Sequence, residues 1–197
     1  MQRRTFLALL AIIAVPVLGQ EASMPTPFGI KMAAPLSALG KVKEIAPGKY
    51  VVESVAKPHS DFEQYIVQAA PKAGVCWVKA IGKTVQTSAY GNELRAKFSE
   101  IEAQITSVYG PSNRMDFLRS GALWSAPREW MMSLMQGERV LLTVWQKKDS
   151  SNLPEGVSVY LSAKALSTST GLLTVEYSFP NDAECEAEVK EAQKRAF

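Results

Sequence analysis

Two cysteines, Cys76 and Cys185, lie 109 positions apart, and a bond between them would tie an early strand to the last helix of the chain. Closing so long a loop removes chain entropy from the unfolded state, an effect of about 4–5 kcal/mol on the loop-closure account. The spacing is unlike the C-x-x-C of a thiol redox pair and unlike the paired ligands of a zinc ribbon. Whether the two thiols join depends on the compartment, and the N-terminus bears on that.

The chain opens MQRRTFLALLAIIAVPVLGQ. Arg3 and Arg4 form a positive n-region, Phe6 to Leu18 carries no charge, and Val17-Leu18-Gly19 suits a signal peptidase, so residues 1–19 read as a secretory signal peptide. The apolar run falls short of the roughly 20 residues a membrane-spanning helix needs, and Pro16 interrupts it. No cysteine stands near the cleavage point to accept a lipid. RRTFL resembles a twin-arginine export signal, although Gln2 and Ala8 replace the residues usual there and the strongly apolar run suits general secretion. With no cofactor motif downstream that would require export in a folded state, general secretion is the favoured route. A periplasmic or secreted protein meets oxidising conditions, so a Cys76–Cys185 disulfide is expected.

Charge excludes one class of partner. The formal charge of +3 owes much to Arg3 and Arg4, and the rest of the chain interleaves lysine with glutamate and forms no basic stripe of the kind that neutralises phosphates. Nucleic acid is not expected as a partner, and neither is a stable membrane anchor on the mature form.

Residues 20–27 read as a flexible leader, 28–110 as a first α+β module and 111–197 as a second. In the first, APLSALG is a short helix with Pro35 in its first turn, and KYVVESVA, EQYIVQAA and GVCWVKAIGKTVQT are strands by their β-branched and aromatic content. Leu94, Phe98, Ile101, Ile105 and Val108 then recur at helical spacing, with Asn92 placed to cap the start, Gly110-Pro111 to end the helix, and Glu93 to pair with Lys97. The second module starts with APREWMMSLMQG as a helix. It continues with RVLLTVWQ, GVSVYLSAKAL and LLTVEYSF as strands and closes on a helix from Asn181. Gly29/Ala34/Pro35 recurs as Gly121/Ala126/Pro127. The expected fold class is therefore α+β, as two similar α-β-β-β-α halves with antiparallel sheets, and the echo suggests an internal duplication.

No catalytic residues are assigned. His59, the only histidine, sits in KPHSDF beside Ser60 and Asp61, but neighbours in an extended loop point apart, and no G-x-S-x-G elbow presents a serine. Ser54 and Lys57 match S-x-x-K at the end of a strand, where the helix that chemistry needs is missing. One histidine and two distant cysteines supply no metal-ligand spacing, and no cofactor is implied. Only a pair of carboxylates assembled by the fold would leave room for an enzyme.

Tryptophan and methionine cluster in LWSAPREWMMSLMQGERVLLTVW, which holds three of the four tryptophans and three of the seven methionines. Consecutive Trp130, Met131 and Met132 cover too wide an arc of a short helix to hide against one sheet, so either the first module or an outside partner covers the excess. Trp124, Trp130 and Met131 are accordingly the candidate partner-binding residues. A tandem of such modules is similar to exported inhibitor proteins built from duplicated units and to small envelope assembly factors. The expectation is an exported, non-enzymatic binding or accessory protein of the cell envelope that contacts a protein or an apolar ligand. The alternative is a cofactor-free envelope hydrolase using fold-assembled carboxylates. Protein recovered from the envelope is expected to begin at Gln20 without lipid; intact mass spectrometry checks both, and a mass that includes residues 1–19 contradicts the cleavage.

Overall fold

The computed structural model describes residues 23–148 and 151–195; the expected signal peptide lies outside them. The chain is mixed α+β and mostly sheet. A first antiparallel meander runs through β1 (Val42–Ala46), β2 (Lys49–Val52), β3 (Phe62–Ala70) and β4 (Gly74–Gly82), followed by the two-residue β5 (Val85–Gln86) and the long helix α1 (Asn92–Tyr109). The second half contributes β6 (Asn113–Leu118), the short helix α2 (Trp130–Met135), then β7 (Arg139–Gln146), β8 (Ser158–Ala165), β9 (Thr170–Ser178) and the closing helix α3 (Asp182–Lys194). Because β4 pairs with β9, the strands form one sheet in the order β1-β2-β3-β4-β9-β8-β7-β6, with β5 also pairing β9. The two halves thus share a sheet where separate ones were expected, and one hydrophobic core runs through both.

Alternation decides which face is covered. Tyr50, Val67, Val78, Tyr177, Val159 and Trp145 are successive cross-strand partners and form a continuous row across six strands. The next row on that face, Val52, Tyr65, Ala80, Val175, Leu161 and Thr143, is wholly buried. α1 lies over this inner face and buries Leu94, Phe98, Ile101 and Ile105, as the spacing predicts; Val108, expected on the same stripe, is exposed. On the other face the row Val51, Ile66, Lys79, Glu176, Tyr160 and Val144 is only half-buried.

Cys76 and Cys185 form the expected disulfide, joining β4 to α3 with their Cα atoms 6.2 Å apart. Gln68 pairs with Trp77 and Ala69 with Val75, which leaves Cys76 as the extra residue of a bulge. Around it Ala70, Ala73 and Val189 make a second, smaller cluster. The Glu188 carboxylate accepts the backbone N–H groups of Lys72 and Ala73, so α3 is clamped to the β3–β4 turn by polar bonds as well as by the covalent one.

Several local expectations are corrected. β1 and β6 were not anticipated, and both are edge strands whose exposed, charged residues lack an apolar alternation. The strand expected over residues 74–87 divides after Gly82 into β4 and β5. Asn92 does not cap α1; Gly91 takes the cap position with φ of 68°, and the carboxylate of Glu93 accepts the Thr87 hydroxyl and the Ser88 N–H, at 2.7 and 2.9 Å. Those bonds hold the Glu93 carboxyl at about 2, below its ordinary value, with the Thr87 hydroxyl the largest cause. Lys97 therefore pairs with Glu100 and Asp61, at 2.8 and 3.4 Å, and the expected Glu93–Lys97 pair is absent.

The excess surface of α2 is covered from within the chain. The Trp130 ring lies against Gly91, with the guanidinium groups of Arg95 and Arg139 5.6 and 5.7 Å from its centre. A β-carbon at position 91 would overlap that ring, and the left-handed backbone there disfavours any other residue. Gly91→Ala is expected to cost roughly 2–4 kcal/mol, as strain and overpacking combined. Urea unfolding checks this as a lower midpoint.

Candidate binding cavity

Where the C-terminal half of α1 crosses the inner face of the sheet, the side chains do not fill the space. A cavity of about 190 Å³ remains, walled by Ile101, Ile105 and Val108 of α1, by Val175 and Tyr177 of β9, and by Phe28 and Phe62. Its aromatic wall is fixed by mutual packing: the Phe28 ring centre lies 4.8 Å from Tyr65, 5.8 Å from Phe62 and 6.2 Å from Tyr177. Phe28 reaches that position from a backbone with φ of 55°, a conformation few non-glycine residues adopt, and its carbonyl accepts the N–H of Lys57 at 3.0 Å. Of the two non-glycine residues with positive φ, Phe28 and Ala33, the first lines the cavity.

The rim is polar. His59 Nδ1 accepts the N–H of Asp61 at 3.2 Å, so the ring proton belongs on Nε2, which donates to Oε1 of Gln104 at 3.1 Å. The Tyr65 hydroxyl accepts the His59 N–H at 3.0 Å. His59 is therefore a tethered residue at the cavity mouth. Its ring packs edge-on against Phe62 at 5.5 Å, and the carboxylate of Asp61 stays 3.9 Å from Nδ1. At the other end Tyr109 and Tyr177 meet with ring centres 6.2 Å apart. Burial pushes both phenols above their ordinary value, Tyr177 well above it, with the neighbouring Tyr109 adding to that shift. Near neutral pH they stand as uncharged hydroxyl groups.

A second cavity of about 200 Å³ lies on the far side of Phe62 and Ile101, which wall both spaces. Leu173 and Val85 form its apolar side, and Asp61, Lys83 and Lys97 its polar one.

Besides Asp61 and Glu100 on Lys97, the fold assembles carboxylates beside basic groups at the α1–sheet contact in Glu102, Asp116, Arg114 and Arg139. Glu102 accepts the Thr143 hydroxyl at 2.6 Å and pairs with Arg114; Asp116 lies 3.5 Å from Arg139 and 3.8 Å from Arg114. Each carboxylate faces a guanidinium, an arrangement that ties β6 and β7 to α1. Among the described residues no cluster of three histidine, cysteine or acidic side chains is placed to hold a metal ion.

The three candidate partner-binding residues are separated by the fold. Trp130 and Met131 are 5% and 0% exposed, in the core; Trp124 is 37% exposed, in the loop between β6 and α2. Only Trp124 offers surface to a partner. The cavity residues Phe28, Phe62, Gln104 and Tyr109 carried no sequence signal, since they come from three separate segments, the N-terminal stretch, β3 and α1. No protein-family model, curated protein or solved structure matches the chain.

Replacing Glu102 by glutamine leaves Arg114 with only its longer carboxylate contact, to Asp116, and weakens the acceptor for Thr143. The loss is expected to be about 1–3 kcal/mol, because hydrogen bonds to charged groups are worth about 1.5–3. A lower urea midpoint at unchanged slope checks it.

Proposed function

We propose that this is an exported, non-enzymatic binding protein of the cell envelope, and that the cavity under α1 receives an apolar small molecule. The observation that carries this reading is the aromatic chamber itself: apolar walls held by Phe28, Phe62 and Tyr177, with polar groups of His59, Gln104 and Tyr109 at its ends. Such a chamber favours a ligand with a rigid or short apolar body and one hydrogen-bonding group. Export is supported by the disulfide, by the N-terminal sequence, and by the finding that no helix among the described residues is long and apolar enough to cross a membrane. Trp124 is proposed as surface for a protein partner, with Trp130 and Met131 holding the element beneath it.

The two halves are further proposed to derive from one duplicated unit. The supporting observation is topological: each meander ends on the strand that meets the other, β4 against β9, and the sheet reads the same way inward from either edge.

N-phenyl-1-naphthylamine, an apolar fluorophore, is expected to bind with a rise in emission at a stoichiometry near one and to be displaced by unmodified apolar ligands recovered from envelope extract. Ile105→Trp, which fills the chamber, abolishes the signal while circular dichroism shows the fold retained. A folded wild type that binds neither the fluorophore nor any extract component contradicts the reading, and recovery of cleaved products favours the hydrolase.

A further inference from the structure

The sheet has two open edges, and they differ in chemistry. β1 has the features by which natural sheets keep strangers off: its register with β2 breaks between Glu44 and Ala46, and Lys41, Lys43 and Pro47 stand along or beside it. β6 is charged too, at Arg114 and Asp116, and Pro111 stands two residues before it, but the strand itself is regular. Its register with β7 is unbroken from Asn113 to Leu118, and it contains neither lysine nor proline. Phe117 on it is 47% exposed, and the loop that follows carries Leu123 and Trp124, 82% and 37% exposed.

The backbone of β6 has a defined free side. Arg119 N–H donates to the Glu138 carbonyl at 2.7 Å, next to the pair Leu118–Arg139. Hydrogen-bonded pairs alternate along an antiparallel ladder, so Asn113, Met115 and Phe117 direct their N–H and C=O groups to β7 while Arg114, Asp116 and Leu118 turn theirs outward. An incoming antiparallel strand must match that spacing.

The sequence of β6 matches it against itself. When a second β6 is centred on Met115, Arg114 lies opposite the partner's Asp116, and Asp116 opposite the partner's Arg114. Both pairs are hydrogen-bonded outward positions, and each sets a cation across from an anion. Shifting the register by two residues to centre on Asp116 sets like charges face to face, which is unfavourable. Arg114 and Asp116 are both partly exposed, with 35% and 27% of their side-chain surface open, so each can take a second partner while keeping its contacts to Glu102 and Arg139. Phe117 then covers the partner's Asn113.

We propose that the outer edge of β6 is a two-fold interface, at which a second copy of this chain adds its own β6 antiparallel about Met115 and continues the sheet across both molecules. The surface is isologous, as a two-fold dimer requires. The chemistry that recognises the second copy is the alternation of Arg114 and Asp116 on exposed backbone, with Phe117 contributing apolar contact.

Sedimentation velocity of the purified protein is expected to show a dimer. Met115 and the partner's Met115 form a non-hydrogen-bonded pair with Cα atoms about 4.5 Å apart, inside the roughly 4.4–6.8 Å that a disulfide spans. Met115→Cys is therefore expected to cross-link under mild oxidation and run as a reducible dimer. Phe117→Cys, about 14 Å from its counterpart in this register, is expected to stay uncrosslinked. Met115→Lys, which sets two ammonium groups opposite each other on an open sheet face, is expected to shift the dimer to monomer with the circular dichroism of the wild type; if that variant does not fold, the cysteine pair decides. A monomeric wild type at the highest soluble concentration overturns the proposal. So does a dimer that folded Met115→Lys leaves intact, or cross-linking of Phe117→Cys as readily as Met115→Cys.

Discussion

The pairing of β4 with β9 is the contact on which the rest of the structure depends. Without it the chain holds two short meanders, each with an open edge and one apolar face, units too small to bury enough surface alone. With it, the row from Tyr50 to Trp145 is continuous and gives α1 a platform wide enough to cover. The side chains of α1 contribute on the usual scale, about 1.5–3 kcal/mol for each fully buried Leu, Phe or Ile. Leu94 reaches full burial because Gly171 leaves room beside it on β9.

α1 is held at its two ends by different forces, and the cavity follows from that difference. Near its start, the Trp130 ring against Gly91 and the Glu93 carboxylate on Thr87 and Ser88 fix the helix tightly. Midway, Glu102 is pinned through Arg114 and Thr143 to β6 and β7, with Trp145 donating to the Thr106 hydroxyl at 3.3 Å. The midway ties lie on the side of the second meander, while Lys97 reaches Asp61 on the side of the first. Toward the first meander the helix meets His59, Phe62 and Phe28 across loops, and there the packing leaves space. A helix anchored along one side and propped along the other leaves a chamber on the propped side without any residue dedicated to making one.

The disulfide acts on the opposite end of the first meander. α3 packs on β3 and β4 through a small cluster of alanines, Val189 and the two cysteines, much less apolar surface than α1 buries. Polar contacts supplement it: Glu188 on the Lys72 and Ala73 amides, and Asn181 donating to the carbonyls of Ala73 and Val75 at 2.9 and 3.1 Å. Asp182, at the start of the helix, has its carboxyl raised above the ordinary value by burial and by Glu186, with Lys49 opposing. A helix with so thin an apolar face gains most from a covalent tie, because loop closure stabilises it independently of buried area.

What the sequence determined by itself is local or covalent: the strands with strict alternation, the apolar stripe of α1 from Leu94 to Ile105, the helix that begins after Pro127, and the pairing of two cysteines with no other partners. These depend on periodicity and valence, which a single segment contains. Tertiary structure decided what depends on the meeting of segments: that β4 pairs with β9 and makes one sheet of two meanders, and that Trp130 is covered by Gly91. It also decided that Glu93 turns to Thr87 and away from Lys97, and that His59 meets Gln104, 45 residues further along, at the rim of the cavity. Edge strands β1 and β6 were illegible for a related reason: a strand paired on one side only, with little buried surface, leaves no alternation in its residues, and only its neighbour in space makes it a strand.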